Sequence, residues 1–245
     1  MLQEQQGLWA SHCHKRANMS KHGKKYNKAL EKVNPEKEYS LKEAVDILKE
    51  VVSTKFDSSI EGHFNIKYKS LQNVRGIVQL PNGTGRVARV LVFAKGDKAE
   101  EARKAGADFV GDMDLIEKVQ KGWTDFEFVV ATPDLMKEVG KLGPVLGKKG
   151  LMPKPKAGTV TNDVAEIIKQ LTSGRVEYKA DKTGVVHMPL GKSSFDSTKL
   201  VENISTAFQG VLRDKPTDAK GDYVVSMYLA GTMTPSLKIN IKELR

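Results

Sequence analysis

The chain has 245 residues, and its 40 basic and 30 acidic side chains give a formal charge of +10. Hydrophobic residues make up 39% of the chain, which is enough for one large or two medium domains. No run approaches the ~20 apolar residues of a membrane-spanning helix. The single cysteine excludes an intrachain disulfide and a cysteine-rich zinc fold, and it favours a reducing compartment. The positive charge favours a polyanionic partner, either nucleic acid or anionic lipid.

Residues 1–19 differ in composition from the rest and are expected to form a disordered extension. They lack the apolar stretch of a secretory signal and the arginine-rich pattern of a transit peptide. His12-Cys13-His14 offers too few ligands for a structural zinc site, and Met19 is a candidate natural start. The basic arm that follows is either solvated or contacts phosphates, and it contains Lys21, Lys24, Lys25, Lys28 and Lys32.

Residues 20–81 are predicted to contain one main helix and two strands. The helix spans Ser40–Val52, is amphipathic, and opens with Ser40 and Glu43 at the spacing of a capping box. The strands alternate apolar and polar residues, as half-buried strands do, over Ser59–Lys67 and Asn73–Leu80. The turn residues Pro81-Asn82-Gly83 mark a boundary.

Strands and helices alternate through residues 82–174. The predicted strands are Val87–Ala94, Ala107–Val110 and Phe126–Ala131. The predicted helices are Asp97–Ala105, with Asp97 as a possible cap, Asp114–Lys121, Asp134–Leu142 and Asp163–Leu171. This alternation predicts a small parallel sheet covered by helices on both faces.

Residues 175–245 follow a turn at Ser173-Gly174 and are predicted to be α+β. The expected elements are a hairpin of Arg175–Ala180 with Gly184–Pro189, a helix over Asp196–Arg213, and strands over Asp222–Gly231 and Leu237–Ile241. The fold class is therefore α+β with mainly antiparallel pairing in the outer segments and α/β in the middle. If the outer segments fold together, the middle is an insertion joined by two crossings of the chain, which would form a hinge.

Charge separates these segments. Residues 1–81 carry 14 basic and 9 acidic side chains, and residues 175–245 carry 11 and 8, whereas residues 82–174 carry 15 and 13. Within the middle, residues 96–134 hold ten acids and only five bases, and such a stretch would repel phosphate. The outer segments are therefore the better candidates for a nucleic-acid face.

Catalytic motifs are weak. Gly191-Lys192-Ser193 resembles the end of a phosphate-binding loop, but Val186 stands where that loop requires glycine. Asn82-Gly83-Thr84-Gly85 precedes a strand instead of following one, so we interpret it as a turn. His63 and His187 lack a partner motif for acid–base work and are interpreted as structural. We expect no enzymatic activity, no metal and no cofactor.

Two loops are better explained by binding. The segment Lys141–Val160 is rich in glycine, proline and lysine, so it could hold an anion with backbone amides and charge, or it could be a mobile surface loop. Thr232-Met233-Thr234-Pro235-Ser236 lies between two predicted strands. It could contact RNA sugars and bases, or it could be an ordinary turn.

A series of motifs runs in order from about Ser20 to Leu244. They are Lys21-His22-Gly23-Lys24-Lys25-Tyr26, Thr54-Lys55-Phe56-Asp57, Asn73-Val74-Arg75-Gly76, Ala105-Gly106-Ala107-Asp108-Phe109-Val110-Gly111, Val130-Ala131-Thr132-Pro133-Asp134, Gly150-Leu151-Met152-Pro153, Pro155-Lys156-Ala157-Gly158-Thr159-Val160, Asp181-Lys182-Thr183-Gly184 and Gly191-Lys192-Ser193-Ser194-Phe195. Together they strongly resemble the bacterial family of large-subunit ribosomal protein L1.

The resemblance implies a two-domain fold, with domain one made of residues 20–81 and 175–245 and a Rossmann-like domain two inserted at 82–174. It also implies a non-enzymatic, cytoplasmic protein, monomeric when free of the ribosome, with an organellar ribosome left open. Such a protein binds large-subunit rRNA at the mobile stalk, helps move and release exit-site tRNA, and represses its own operon mRNA. A free-standing mRNA regulator is compatible with this; a nucleotide-binding enzyme built on the middle domain is the alternative.

The resemblance further implies an RNA-contact surface in three parts on domain one. The parts are Lys55, Phe56, Ser59 and Glu61; then Lys179, Asp181 and Lys182; then Ser226, Thr232, Met233 and Thr234. We expect the lysines to contact phosphates and Phe56 to order the RNA-facing strip. The hydroxyls of Ser59, Ser226 and Thr232 are expected to bond sugars or base edges, with Met233 filling space beside them.

The chain departs from the family pattern at three places. Thr234 stands where the family has glycine, and because threonine suits neither close backbone approach nor positive φ, the RNA affinity or the local geometry of that loop is expected to change. The usual family segment Gly-Ile-Asp-Pro-Arg is replaced here by Asn65-Ile66-Lys67-Tyr68-Lys69, so the turn expected at this segment is altered. The usual Gly-Pro-Arg is Gly147-Lys148-Lys149, which keeps charge but loses a rigid turn.

Overall fold

The computed structural model describes residues 23–34, 37–67, 74–86, 88–155, 158–216 and 221–244. Several predictions of the sequence analysis fall outside these residues: the N-terminal extension, the His12-Cys13-His14 segment, Lys21, and the altered turn at Tyr68-Lys69. In the described residues helices and strands are mixed and form several sheets, so the predicted combination of α+β and α/β architecture is confirmed.

The elements follow in chain order. The strands are β1 (Glu38–Tyr39), β2 (Ser59–Ile66), β3 (Arg75–Gln79), β4 (Val90–Phe93), β5 (Phe109–Gly111), β6 (Phe128–Ala131), β7 (Arg175–Lys179), β8 (Val185–Lys192), β9 (Val224–Gly231) and β10 (Leu237–Ile239). The helices are α1 (Lys24–Glu31), α2 (Leu41–Val51), α3 (Asp97–Lys104), α4 (Met113–Gln120), α5 (Met136–Val139), α6 (Gly143–Lys149), α7 (Val164–Thr172) and α8 (Ser197–Arg213). Turns of 3₁₀ helix cover Pro133–Leu135, Gly140–Leu142 and Ile241–Glu243.

A five-stranded sheet in the order β1-β10-β9-β2-β8 draws its strands from both outer segments, and β3 pairs with β7 in a second sheet. Pairing is antiparallel except between β1 and β10. Along β2, Ile60, Phe64 and Ile66 are buried, because successive side chains of a strand alternate between faces. They join one apolar cluster that runs from Ala29 to Leu80 and from Val176 to Ile239. Residues of both outer segments therefore share one core.

The helices α2 and α8 cover the buried face of this sheet. Ser40 caps α2 by accepting a hydrogen bond from the Glu43 backbone N–H at 3.4 Å, which is the first half of the predicted capping box. The helix α2 contacts β9 and β10, whereas α8 contacts β3 and β8. The opposite face of the sheet carries the polar residues of each strand.

The middle segment forms a parallel sheet in the order β5-β4-β6. Leu91 and Phe93 of β4 belong to one apolar cluster with α4, α5 and α6. Val90 and Val92 belong to another cluster with α3 and α7. Because each face of the sheet has its own buried cluster, the prediction of a small parallel sheet covered on both faces is confirmed.

Two helix predictions in the middle segment need correction. Asp97 does not cap α3; Gly96 takes the N-cap position at φ 58°, a conformation that favours glycine, and Asp97 is the first helical residue. The helix expected over Asp134–Leu142 is broken into short 3₁₀ and α turns. The first part of the expected loop Lys141–Val160 is instead α6, whose Pro144 lies in the first turn, where no backbone N–H is needed.

The predicted hairpin after Gly174 is wrong in its pairing. β7 pairs with β3 over its whole length, from Arg175 opposite Gln79 to Lys179 opposite Arg75. β8 pairs with β2, and β7 meets β8 at an isolated bridge between Ala180 and Val186. The local turn is present, but the strands on either side of it pair with strands that are distant in the chain.

Candidate nucleic-acid interface

The unburied face of the five-stranded sheet, here called the open face, presents mainly polar side chains in register. From β2 it receives Ser59, Glu61, His63 and Asn65; from β8, Val185, His187 and Pro189; and from β9, Ser226, Tyr228 and Ala230. The predicted RNA-contact residues Ser59, Glu61 and Ser226 all project from it. Ser59 and Asn65 lie about 20 Å apart along β2, at the usual rise per residue of a strand.

The first end of the open face is held together by Ser59 and Thr232. The backbone N–H of Thr232 donates to the Ser59 carbonyl at 3.0 Å. In return, the Ser59 N–H donates to Thr232 Oγ1 at 3.1 Å, and that hydroxyl donates to the Ser59 carbonyl at 3.3 Å. Lys192 Nζ donates to Ser59 Oγ at 3.0 Å. Both hydroxyls are therefore engaged in hydrogen bonds within the protein, besides the RNA contacts predicted for them.

The turn after β9 exposes Met233. Its side chain is 76% exposed, and its φ is 65°. Thr234 Oγ1 accepts a bond from the Gly231 N–H at 2.8 Å and donates to the Gly231 carbonyl at 3.1 Å. The left-handed residue of this turn is thus Met233 and not residue 234. Thr234 therefore stands at a position that does not require positive φ in this chain.

Phe56 lies in a short anchored segment before β2. Its ring is 59% exposed, while Thr54 Oγ1 donates to its carbonyl oxygen at 2.9 Å. The next residue, Asp57, accepts bonds from Ser193 Oγ at 2.8 Å, Ser194 N at 3.1 Å and Ser194 Oγ at 2.9 Å. Bonds from Ser193 first, and from Ser194, hold the pKa of the Asp57 carboxyl below its ordinary value. The aromatic ring and the exposed Lys55 are thus presented to solvent by a fixed backbone.

The turn between β7 and β8 forms the second end of the surface. Asp181 accepts hydrogen bonds from the backbone N–H groups of Val185 at 2.8 Å and Thr183 at 2.9 Å, and from the Thr183 hydroxyl. These bonds, that from Val185 first, lower the pKa of the Asp181 carboxyl. Asp181 therefore shapes the turn, while the side chains of Lys179 and Lys182 are exposed.

Two histidines that sequence reasoning treated as structural lie between these ends. His63 of β2 and His187 of β8 are direct cross-strand partners on the open face, with their Nδ1 atoms 2.8 Å apart. Tyr228 of β9 is opposite His63 on its other side. The alternation of β2 already puts His63 on the same face as Glu61, and this signal could have identified it. The register with His187 could not be obtained from sequence.

The predicted surface therefore divides into two ends and a centre. Lys55, Phe56, Ser59, Thr232, Met233 and Thr234 lie together at the first end. Asp181 and Lys182 lie near the other end of β8, where Ser226 of β9 stands opposite Asn65. Glu61 lies between them, and Lys179 belongs to the neighbouring strand β7.

The middle segment is a poor candidate for a nucleotide-binding site. In sheets of this kind ligands bind outside the carboxyl ends of the strands. There Lys95 pairs with Asp112 at 3.3 Å, so the lysine at this edge already has an acidic partner. A cleft of about 770 Å³ opens instead at the amino ends of β4 and β6, and Arg86, Glu127, Arg175 and Glu177 give its lining both signs of charge.

Metal-binding clusters and membrane-spanning helices are both missing from the described ranges. No group of three or more His, Cys, Asp or Glu side chains is arranged to hold a metal ion there. Among the helices that the structure describes, none has the length and apolar character needed to span a bilayer.

Comparison with known proteins shows which family the chain belongs to. The model of the ribosomal protein L1p/L10e family matches residues 48–235. The "Large ribosomal subunit protein uL1" of Leptospira biflexa serovar Patoc is 60% identical over 224 residues, covering 91% of this chain and 97% of the relative. Proteins of the same name from Thermosipho melanesiensis and Kosmotoga olearia are 54% and 52% identical, with the same coverage. The chain therefore belongs to the ribosomal protein L1p/L10e family and is a non-enzymatic ribosomal protein.

Proposed function

We propose that this protein is a cytoplasmic constituent of the large ribosomal subunit that binds large-subunit rRNA at the mobile stalk through the open face. The names of the relatives place those proteins in the large subunit, and their identity extends over 91% of this chain. The net charge of +10 suits a polyanionic partner. The protein is proposed to be monomeric outside the ribosome.

The proposal assigns RNA binding to domain one, made of residues 20–81 and 175–245, and treats residues 82–174 as an inserted domain two. The shared core of the outer segments supports this division. Buried Asn203 also fixes the first crossing of the chain: it accepts from the Asn82 N–H at 3.1 Å and donates to the Gly83 carbonyl at 3.0 Å and the Leu190 carbonyl at 2.8 Å.

The observation that carries the proposal is the exposure of Phe56 and Met233 in an anchored setting beside basic side chains. Exposed apolar side chains that lie together and are rimmed by polar residues commonly mark an interaction site. Phe56 would stack on or order an unpaired base, and Met233 would fill the space beside it. Lys55, Lys179 and Lys182 would contact phosphates, which gives affinity without reading sequence.

The internal hydrogen bonds change the roles proposed for the hydroxyl groups. Ser59 and Thr232 would act mainly by fixing the backbone that presents Phe56 and Met233, leaving their remaining lone pairs to accept from RNA 2′-hydroxyls. Ser226 and Glu61 would make side-chain contacts on the open face. Specificity would then depend on a preformed protein shape that matches a folded RNA.

The test measures binding to a stalk rRNA fragment and to an unrelated RNA of equal length. Phe56→Ala should weaken binding to the stalk fragment by about tenfold or more, since stacking is worth about 1–3 kcal/mol per base, and change unrelated binding little. Lys182→Ala should weaken both equally and reduce the salt slope by about one. Lys104→Ala, an exposed lysine of α3, is the matched control. Equal binding to both RNAs by the unaltered protein would contradict the proposal.

Two further activities are proposed from the family resemblance. The protein would assist movement and release of deacylated tRNA from the exit site, and it would repress translation of its own operon mRNA. If the mRNA uses the open face, then the stalk fragment and the mRNA leader should compete, and Phe56→Ala should weaken both. Ribosomes lacking the protein should release exit-site tRNA more slowly, and adding the protein back should restore release.

A further inference from the structure

His63 and His187 form a hydrogen-bonded pair at the centre of the open face. Their ring centroids are 5.0 Å apart at an interplanar angle of 68°, and their Nδ1 atoms are 2.8 Å apart. This separation suits one N–H···N bond. It is shorter than the ~3.4 Å expected between two nitrogens that share a tetrahedral zinc ion with bonds of about 2.0–2.1 Å. The pair is therefore joined by one proton and not arranged for a metal.

Asp181 sets the direction of that bond. His187 Nε2 lies 4.0 Å from Asp181 Oδ2, so the carboxylate favours a proton on His187 Nε2. The Nδ1 of His187 then accepts, and the Nδ1–H of His63 donates; we assign these tautomers from the network. His63 Nε2 keeps its lone pair. A proton added there makes His63 cationic without breaking the pair.

The groups around His63 carry both signs of charge. Glu61 precedes it on the same face of β2, Tyr228 is opposite on β9, and His187 is the partner on β8. Beyond these, Lys238 of β10 is opposite Tyr228 and pairs with Glu38 at 2.8 Å, and the turn contributes Asp181 and Lys182. Burial first, and then His187, lower the pKa of His63, while Glu61 opposes them. Together these effects favour the neutral imidazole in the free protein.

We propose that the His63–His187 pair is a phosphate-binding subsite of the RNA interface and takes up one proton when RNA binds. The inference rests on the proposed function, because it places the RNA backbone across the open face. A strand that runs between the Lys55 end and the Lys182 end crosses the centre, where His63 lies. A phosphate beside His63 Nε2 stabilises the cation, and the charge-assisted N–H···N bond holds the ring in place.

The sign of the pH dependence follows from this coupling. The bound RNA raises the pKa of His63 above its value in the free protein. Affinity therefore increases as pH falls through the pKa of the complex and levels off below the pKa of the free protein. The slope reaches at most one proton, or tenfold in the dissociation constant per pH unit.

The experiment measures binding of the stalk rRNA fragment to the full chain between about pH 6 and pH 8 at fixed salt. Titration calorimetry in two buffers of different ionisation enthalpy counts the protons taken up. His63→Asn retains a donor near the Nδ1 position but cannot become cationic, so it should lose the proton uptake while still binding RNA. His63→Gln is the second variant, and thermal unfolding checks that each variant folds.

The outcomes separate the inference from the proposed function. If the unaltered protein shows no preference for the stalk fragment, the proposed function fails. If it prefers that fragment but takes up no proton, the inference fails alone. The same holds if the two His63 variants keep the full uptake, because other groups, such as His22, would then take up the protons. Uptake near one proton that is lost in both variants supports the subsite.

Discussion

Ser59 and Thr232 are 173 positions apart in the chain, yet each donates a backbone N–H to the other residue. They join the first residue of β2 to the turn after β9, and through this junction Phe56 and Met233 reach the same end of the open face. The presentation of both exposed apolar side chains thus depends on a long-range contact, not on either local segment alone.

Thr232→Val tests this junction. The substitution keeps the shape but removes the acceptor of the Ser59 N–H, so we expect a loss of about 1–2 kcal/mol in the free energy of unfolding. Binding to the stalk fragment should weaken far more than non-specific binding, because the presented shape changes while the lysines remain. Thr232→Ser retains the hydroxyl and should restore both quantities. Thr206→Val, at a threonine on α8 bonded only within its helix, is a control. Equal losses for both RNAs would contradict the assignment.

In the turn after β9, glycine substitutions at two adjacent positions should change the free energy of unfolding in opposite directions. Met233→Gly removes a non-glycine residue from positive φ and should raise the free energy of unfolding by up to about 1 kcal/mol. Thr234→Gly restores the usual family residue but removes the two bonds to Gly231, so it should destabilise by about 1 kcal/mol. Chemical denaturation of both variants measures this. Stabilisation by Thr234→Gly would show that residue 234 is the strained one.

Features of the sheet that depend on local residues can be predicted from the sequence, whereas features that depend on long-range pairing cannot. The alternation over Ser59–Lys67 is local, and it correctly gives β2 and the residues of its open face. The pairing of His63 with His187 is not local, because it depends on which strand lies beside β2. The same reason explains the wrong hairpin: turn chemistry at Asp181 is visible in sequence, whereas the preference of β7 for β3 is not. The turn that holds Met233 at positive φ is closed by bonds between the Thr234 hydroxyl and Gly231, which no local propensity describes.

Asp181 provides a prediction about pH. Its folded pKa lies below the unfolded value of about 3.9. Its bonds to Val185 and Thr183 therefore stabilise the fold above that value, and this contribution is lost as pH falls through the folded pKa. Thermal unfolding of the unaltered protein and of Asp181→Asn should differ near neutral pH and converge in acid below about pH 4. The difference should be small, because the carboxylate is exposed. A gap that stays constant into strong acid would contradict this role.

Gly210 tests the packing of α8 on β3, and Gly147, a helical glycine without close neighbours, is its control. Gly210 of α8 is buried, and a Cβ there would overlap Val78 of β3, so Gly210→Ala should destabilise by about 1–3 kcal/mol through overpacking. A Cβ at Gly147 of α6 would meet no neighbouring atom within 4 Å, so Gly147→Ala should stabilise by about 0.5–1 kcal/mol through helix propensity. Chemical denaturation compares the two variants. Val78→Ala should relieve the overlap, so a double variant no less stable than Val78→Ala alone would support this packing, whereas simple additivity of the two losses would contradict it.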